Sequence, residues 1–257
     1  MRSSAERRQR RSVRPGDIYE VAEHRIACGD ARDPDLVKRL VGTARIALVC
    51  TDPPYGCAVV ESKEGFAKIA APKPIANDHV QGDGEYREFT RSWLAAAAPH
   101  LEPKNACYVF NSDRMVFALR EGMRDAGWTF SQLLVWVKTH AVVGRMDYLP
   151  QHELVAYGWR GRHAFRKSKD KSVLVFPKPS ASRLHPTMKP VPLLRRLILN
   201  STSSKDVVYD PFLGSGSCAV ACADTGRACY GIELDPGHCA TAIARIERHT
   251  GAKAVRL

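Results

Sequence analysis

Short apolar runs alternate along the chain with stretches in which apolar residues fall at helical spacing. The runs at residues 46–50 and 106–110 are typical of strands that are buried on both faces of a sheet. Leu193, Leu194 and Leu197 are three to four residues apart or adjacent, which predicts one apolar helix face. Because the two patterns alternate, we predict an α/β fold with a doubly wound, mostly parallel sheet.

The pattern also sets the approximate limits of the elements. Predicted strands cover residues 24–28, 45–50, 106–110, 129–138, 153–157, 173–176, 206–209 and 227–232. Predicted helices cover residues 33–41, 85–98, 112–125 and 236–249. Two further helices are predicted, one that includes residues 193–198 and one that ends at residue 225. Residues 56–84 have no clean period and predict a long loop, which in a compact domain is usually functional or mobile.

Positive charge is concentrated in two segments, although the whole chain carries a net charge of +12. Residues 1–14 contain six Arg and one Glu, and residues 160–189 contain nine Lys or Arg and one Asp. The rest is close to neutral. We therefore predict a disordered basic tail at residues 1–16 and a basic segment at residues 160–184, as expected of a polyanion-binding protein. A simple solvated face remains the alternative for the tail.

Composition argues against several classes of protein. No apolar run approaches the ~20 residues of a membrane span, and the first ten residues lack the apolar region of a signal peptide. We expect a cytoplasmic protein with no membrane contact. The eight cysteines form no CxxC pair, so neither a zinc ribbon nor a thioredoxin-type site is indicated. We expect buried, reduced thiols and no metal.

The first chemical candidate directly follows the apolar run at 46–50. It consists of Asp52, Pro53, Pro54 and Tyr55. The prolines stiffen the backbone, so that the Asp52 carboxylate and the Pro53 carbonyl can together accept the two N–H bonds of an amine. Tyr55 adds a flat apolar face. The combination suits a heterocycle with an exocyclic amine, such as adenine or cytosine, although a proline-rich turn is the alternative.

The second candidate is the strand, glycine turn and helix that begin at residue 207. Gly214 and Gly216 allow a ligand to approach the backbone closely, and Glu233 lies 19 residues beyond Gly214. A carboxylate at that spacing binds a ribose diol in dinucleotide-binding folds. The alternative is a close helix–strand contact that requires small residues. Together with an amine-binding site, a ribose-bearing ligand indicates S-adenosyl-L-methionine (AdoMet).

Four segments, in their order along the chain, resemble the motifs of the permuted β class of AdoMet-dependent DNA amino-methyltransferases. They are residues 29–31, 52–55, 185–190 and 210–216. The resemblance implies an AdoMet-methyltransferase (Rossmann-like), circularly permuted fold over residues 17–257. It also implies that the AdoMet strand and the catalytic strand are neighbours. Asp52 favours N6-adenine members, because N4-cytosine members more often begin this motif with Ser.

The resemblance also implies a role for each site residue. The catalytic residues are Asp52, Pro53, Pro54 and Tyr55. The AdoMet-binding residues are Asp30, Ala31, Asp52, His185, Thr187, Lys189, Asp210, Phe212, Gly214, Ser215, Gly216, Glu233 and Leu234. The DNA-binding residues, taken from the basic segment, are Arg160, Arg162, Arg166, Lys167, Lys169 and Lys171. The methyl group would pass to a flipped-out adenine by direct in-line displacement.

Other functions stay open from the sequence. They are N4-cytosine methylation, methylation of an RNA or a protein amide, and DNA binding without catalysis. Double-stranded DNA is the expected partner, with a short or relaxed target because the basic segment is short and contacts mainly phosphates. A homodimer is compatible with the sequence. No segment remains for a restriction nuclease, so a stand-alone modification enzyme is expected.

Overall fold

One twisted sheet forms the centre of the protein. The computed structural model describes residues 11–56, 79–141, 147–166, 169–177 and 188–257. The strands are β1 (Ile18–Val21), β2 (His24–Cys28), β3 (Ile46–Thr51), β4 (Leu101–Asn111), β5 (Thr129–Val137), β6 (His152–Trp159), β7 (Arg162–His163), β8 (Val173–Val175), β9 (Val207–Asp210), β10 (Ala228–Glu233) and β11 (Val255–Arg256). Their order is β11-β1-β2-β10-β9-β3-β4-β6-β5-β8, and β7 pairs with β4 outside this path.

Six α-helices cover the sheet within the described ranges. They are α1 (Pro34–Val41), α2 (Asp83–Ala97), α3 (Val116–Asp125), α4 (Val191–Ser201), α5 (Ser217–Thr225) and α6 (Pro236–Thr250). A 3₁₀ turn at Ala98–His100 follows α2, where Pro99 prevents the α-helix from continuing. In this part of the chain, no helix has the length and apolar character needed to cross a bilayer.

The middle of the sheet is parallel. Strands β2, β10, β9, β3 and β4 run in the same direction, which confirms the predicted fold class. β9 and β3 are hydrogen-bonded neighbours, with Val49 opposite Tyr209. The predicted adjacency of the two motif-bearing strands is therefore correct. Because parallel strands end on the same side, the residues after β2, β10, β9 and β3 meet at one side of the sheet, which we call the carboxyl edge.

Two strands at the other end of the sheet pair in antiparallel fashion. β6 is antiparallel to β4, with Asn111 opposite Leu154. β5 is antiparallel to β6, with Val137 opposite His152. The start of β6 and the end of β5 therefore lie at the carboxyl edge too, beside the end of β4. The strand pattern alone does not reveal this, because it predicts both strands as members of a mostly parallel sheet.

The sheet separates two apolar cores. Side chains alternate along β3, so that Leu48 and Cys50 face the core covered by α4, α5 and α6. Val49 faces the other core, which α1, α2 and α3 cover. Trp93 of α2 is fully buried there. Burial on both faces explains why the central strands are continuous apolar runs rather than alternating ones.

The amino-terminal prediction needs a correction. Residues 11–16, part of the predicted disordered tail, pack against the domain in the structure. Val13 is buried, and Arg11 forms an ion pair of 3.1 Å with Glu247 of α6. These contacts hold residues 11–16 against the domain. The Arg-rich composition did not predict them. Residues 1–10 of the predicted tail and residues 57–78 of the predicted loop lie outside the described residues.

The cysteines cluster more closely than their spacing suggested. Seven cysteines in the described ranges are buried free thiols. The sulfur atoms of Cys218, Cys222 and Cys229 lie within 4.8 Å of one another. They belong to the apolar core between α5 and the sheet, where free cysteine packs as a small hydrophobic group.

Candidate active site at the carboxyl edge

Asp52 lies immediately after β3, where the two following prolines end the strand. Its Oδ1 accepts a hydrogen bond of 2.7 Å from the Tyr55 hydroxyl. Its Oδ2 accepts one of 2.5 Å from the ammonium of Lys189, which lies two residues before α4. Pro53 is buried. Both oxygens of the Asp52 carboxylate therefore accept hydrogen bonds from side chains. This is the carboxylate that the sequence predicts to bind the reacting amine.

Two further charged side chains continue this contact. Glu153, near the start of β6, accepts a hydrogen bond of 3.1 Å from the Tyr55 hydroxyl. The same Oε2 lies 3.1 Å from Lys189 Nζ. Its other oxygen, Oε1, lies 2.8 Å from Nζ of Lys138, which directly follows β5. Two carboxylates and two ammonium groups thus form one cluster around the Tyr55 hydroxyl, and we call it the Lys138–Asp52 cluster.

The cluster is largely shielded from water. The side chains of Lys138 and Lys189 are 5% and 9% exposed. Burial raises the pKa of Asp52, although Lys189 opposes the shift. Burial acts to raise the pKa of Glu153 as well, but Lys189 and Lys138 outweigh it and hold that pKa at about 2. Burial and the two carboxylates raise the pKa of Tyr55 well above its usual value. Tyr55 is therefore a hydrogen-bond donor at neutral pH.

A buried carboxylate joins the strand that carries Asp52 to its neighbour. Asp210 ends β9, and its Oδ1 accepts a hydrogen bond of 2.6 Å from the Thr51 hydroxyl. The same atom accepts one of 3.2 Å from the backbone N–H of Phe212. Burial raises the pKa of Asp210 well above its usual range. Asp210 therefore fixes the end of β9 against the residue before Asp52.

The glycine turn after β9 is held by the predicted glutamate. Gly214 and Gly216 have φ values of +52° and +81°, in the left-handed region that favours glycine. The backbone N–H of Gly214 donates to Glu233 Oε2 over 2.8 Å, and that of Asp235 donates to Oε1 over 2.9 Å. Burial raises the pKa of Glu233. The structure brings the turn and the carboxylate together, as predicted.

Asp30 and Ala31 complete this side of the carboxyl edge. They follow β2, which pairs with β10 so that Cys28 lies opposite Glu233. Arg32 Nη2 donates to Asp30 Oδ2 over 2.6 Å. Burial acts to raise the pKa of Asp30, but the hydrogen bonds from Arg32 outweigh it, and the pKa is lowered. Ala31 is buried. Asp30 therefore lies at the strand end next to Glu233.

One residue of α6 supports the glycine turn from behind. The Arg245 side chain places Nη1 3.0 Å from the Ser215 carbonyl oxygen and 3.1 Å from the Ser217 hydroxyl. It also lies 3.3 Å from the sulfur of Met188. Burial lowers the pKa of this guanidinium. Arg245 thus joins the glycine turn to the segment that carries Lys189, and nothing in its helical spacing predicted that contact.

The remaining predicted residues divide into several groups. Phe212 points to the α2 side, with its ring 5.6 Å from that of Trp93. Leu234 is 40% exposed. Ser215 is buried, and its hydroxyl oxygen lies 3.2 Å from Arg245 Nη1. His185, Thr187 and Lys167 lie outside the described residues.

The basic segment is not gathered at the carboxyl edge. β7 carries Arg162, which pairs with Lys104 near the start of β4, at the opposite side of the sheet. Arg160 is next to it, and Arg166 donates its backbone N–H to the carbonyl of Asn200 at the end of α4. Lys169 and Lys171 are exposed and precede β8. The structure therefore does not bring Arg160, Arg162 and Arg166 to the site around Asp52.

Two site residues were missed by sequence reasoning, Glu153 and Lys138. Each is an isolated charge at the end of a predicted strand. Their proximity depends on the antiparallel pairing of β5 and β6, which places both ends at the carboxyl edge. The one signal in the sequence is that each charge directly adjoins an apolar strand, because a charged side chain that becomes buried there almost always has a partner.

Comparisons with known proteins identify the family to which the chain is similar. A family model described as DNA methylase matches residues 46–176 and 159–244. The type II methyltransferase M2.DpnII of Streptococcus pneumoniae is 23% identical over 219 residues, which is 78% of this chain and 82% of the relative.

Two solved structures share the fold. The M1.HpyAVI–SAM complex has a TM-score of 0.65 and 23% identity, covering 86% of this chain and 98% of the other. The cytosine-N4-specific PvuII DNA methyltransferase has a TM-score of 0.67 and 16% identity, covering 90% of this chain and 91% of the other.

Proposed function

We propose that this chain, which belongs to the DNA methylase family, transfers the methyl group of AdoMet to the exocyclic N6 amine of adenine in DNA. The observation that carries the proposal is the position of Asp52. It directly follows β3 at the carboxyl edge, next to the end of the neighbouring strand β9, after which the glycine turn begins. Ligands of open α/β sheets bind at such a switch point.

The residues at this edge fit AdoMet. The nearest heavy atom to a β-carbon added to Gly214 would be the Phe212 carbonyl oxygen at 4.0 Å, so no protein side chain fills the space beside the turn. Glu233 and Asp30 offer carboxylates at the ends of the adjacent strands β10 and β2, where the family resemblance assigns the ribose and the adenine of AdoMet. When bound, AdoMet supplies a methyl carbon that accepts the lone pair of the target nitrogen as the carbon–sulfur electron pair returns to sulfur.

Asp52 and the Pro53 carbonyl bind the target amine in this proposal. The amine of adenine is a poor nucleophile because its lone pair is delocalised into the ring. If Asp52 and Pro53 accept its two N–H bonds, the nitrogen becomes more tetrahedral and its lone pair is available. Catalysis then depends mainly on orientation and on electrostatics in a shielded site. Asp52 can take the proton that the nitrogen loses after transfer.

A base within a duplex cannot reach this edge, so the target base leaves the stack. The Tyr55 ring offers a surface for it, with stacking worth about 1–3 kcal/mol by analogy with other base–aromatic contacts. The cytosine amine has the same donor pair, and the fold is shared with a protein described as cytosine-N4-specific. N4-cytosine is therefore the second candidate, and Asp rather than Ser at position 52 favours adenine.

The test is to express the chain in a host without DNA methylation and to measure modified nucleosides by mass spectrometry. We expect N6-methyladenine. The variant Asp52→Asn should lower methyl transfer by at least about 100-fold, as does removal of one preorganised polar group from a reacting centre, while AdoMet still binds. Asp35→Asn, an exposed change on α1, is the matched control and should retain activity. N4-methylcytosine in its place would reject the adenine assignment.

A further inference from the structure

Glu153 and Lys138 are the two members of the Lys138–Asp52 cluster that lie outside the predicted motifs, and both are charged and largely shielded from water. Both oxygens of Glu153 are engaged, one by Lys138 over 2.8 Å and one by Tyr55 and Lys189, each over 3.1 Å. Burying four charges together is costly unless each is paired. An apolar group would fill the same space at a lower cost, so the arrangement calls for a functional reason.

The functional reason concerns the hydrogen bonds of Asp52, which must accept the target amine while two donors already bind its carboxylate. Its two oxygens already accept from the Tyr55 hydroxyl and the Lys189 ammonium. An incoming amine requires one of these oxygens as an acceptor. Each oxygen can accept a second hydrogen bond, but the added donor competes with the existing one and weakens its bond. Both donors have Glu153 Oε2 as a second acceptor at 3.1 Å. Neither donor would be left unpaired in a buried site.

We propose that Glu153, with its charge balanced by Lys138, is a positioning residue that takes over the Tyr55 hydroxyl and the Lys189 ammonium when Asp52 engages the target amine. The inference rests on the proposed function, because it assigns a task to the same site. Lys138 is needed because an unbalanced Glu153 would compete with Asp52 for Lys189. Lys138 and Glu153 act through Asp52 and do not touch the substrate.

The electrostatic consequence can be measured. Within the described residues, the charged or titratable groups facing Asp52 are Tyr55 beside it, Lys189 before α4, Glu153 of β6, Lys138 after β5 and Asp210 of β9. Glu153 raises the pKa of Asp52 and Lys189 lowers it. In the pH profile of kcat/KM, the rise on the acid side, which we call the acid limb, reports the ionisation of such a group in the free enzyme.

The experiment compares Glu153→Gln, Lys138→Met and the double variant with the full-length chain. Removing the Glu153 charge should move the acid limb to lower pH, by about one unit for a nearby charge. Removing the Lys138 charge should move it to higher pH, because Glu153 is then unbalanced. The double variant should lie between the two. A purely structural ion pair would not shift the limb in opposite directions.

Rate constants supply a second readout. Glu153→Gln and the double variant should each lower kcat by about 10- to 100-fold, because the amide offers one uncharged acceptor oxygen, a weaker second acceptor for the Tyr55 hydroxyl and the Lys189 ammonium, and the amine is misplaced. AdoMet affinity should stay within about twofold in both. Lys138→Arg keeps the charge and should restore the wild-type acid limb. Lys38→Met and Glu23→Gln, two exposed changes far from the cluster, are matched controls that should leave kcat and the limb unchanged.

Folding is monitored by the melting temperature, since a lone buried charge destabilises a protein. If a single variant does not fold, Glu153→Asp replaces it, because this change keeps the charge but withdraws the carboxylate from Tyr55 and Lys189. It should lower kcat and leave the acid limb in place. A double variant with wild-type kcat, or single variants that shift the limb in the same direction, would overturn the inference. A wild-type chain without DNA methylation would instead overturn the proposed function, so the two failures are distinguishable.

Discussion

Gly214 shows how a single residue couples backbone conformation to ligand space. It has a φ of +52°, its N–H donates to Glu233, and the only heavy atom within 4 Å of an added β-carbon is the Phe212 carbonyl oxygen at 4.0 Å, so no protein side chain fills this space. Gly214→Ala should weaken AdoMet binding by about tenfold, because the methyl group enters that space, and should cost about 1–2 kcal/mol of stability from the left-handed backbone. Calorimetric titration with AdoMet and thermal unfolding measure the two effects.

Gly251 is the matched control for this prediction. It has a φ of +75°, and a β-carbon there meets nothing within 4 Å, but it lies after α6 and away from the carboxyl edge. Gly251→Ala should lower the melting temperature by a similar amount and leave AdoMet affinity unchanged. Equal losses of affinity in both variants would show that backbone strain, rather than occupied ligand space, is responsible.

Residues that belong to contiguous motifs could be predicted from the sequence, and residues brought together by pairing could not. Asp52 and Tyr55 are three positions apart, and the stiff prolines between them leave few arrangements. Gly214 and Glu233 are linked by one strand–helix–strand unit of nearly fixed length. Glu153 lies 98 residues from Tyr55, and only the register of two antiparallel strands brings them together.

At the scale of elements, helix α6 stabilises the glycine turn after β9. Arg245 reaches from this helix to Ser215, Ser217 and Met188. Arg245→Met should raise the KM for AdoMet by about five- to tenfold, a coupling of about 1 kcal/mol, with kcat little changed, since uniform binding is weakened rather than a transition-state interaction. Steady-state kinetics at varied AdoMet concentration measures this change.

Arg248, on the same helix, provides the comparison. Its guanidinium donates to the Ala244 carbonyl of the same helix over 3.2 Å, and the residue is exposed. Arg248→Met removes the same charge from α6 without touching the glycine turn, so the KM for AdoMet should not change. A rise of equal size in both variants would indicate that the overall charge of α6, and not the interaction with the turn, affects binding.

Elements with a clear period or a clear cap were predicted to within a few residues, and so was the short edge strand β8, but β1, β7 and β11 were not predicted. Asp33 caps α1 by accepting from the N–H groups of Asp35 and Leu36, and Pro34 at the first turn strengthens that signal. β1, β7 and β11 contain four, two and two residues, too few for an alternating pattern to emerge. They exist because a neighbouring strand offers free backbone groups, which is a property of the folded sheet.

For the whole molecule, the distribution of charge poses the question of where DNA lies. The sequence pattern predicts one DNA-binding segment with six basic residues. In the structure, Arg162 pairs with Lys104, whereas Asn111, seven residues further along β4, lies at the carboxyl edge. At roughly 3.3 Å per residue this separation is about 23 Å. Lys171 lies two residues before β8, which runs parallel to β5 with Val173 opposite Val135. It is therefore about five residues, or about 17 Å, below Lys138 along the strand direction.

Both halves of the basic segment lie below the carboxyl edge, but Lys171 is nearer to it along the strand direction than Arg162, so we expect the two halves to differ in their effect on DNA binding. A duplex that delivers a base to Asp52 crosses the carboxyl edge, so Lys169→Gln/Lys171→Gln should flatten the salt dependence of binding by up to about 0.9 for each phosphate that is no longer neutralised. Arg160→Gln/Arg162→Gln removes the same charge at the far side of the sheet and should leave the slope unchanged.

Binding measured across a salt series, with both double variants beside the wild-type chain, separates local phosphate binding from net charge. Equal flattening in both variants would mean that the duplex extends down the side of the domain, and identical slopes in all three proteins would place the phosphate-binding residues outside this segment.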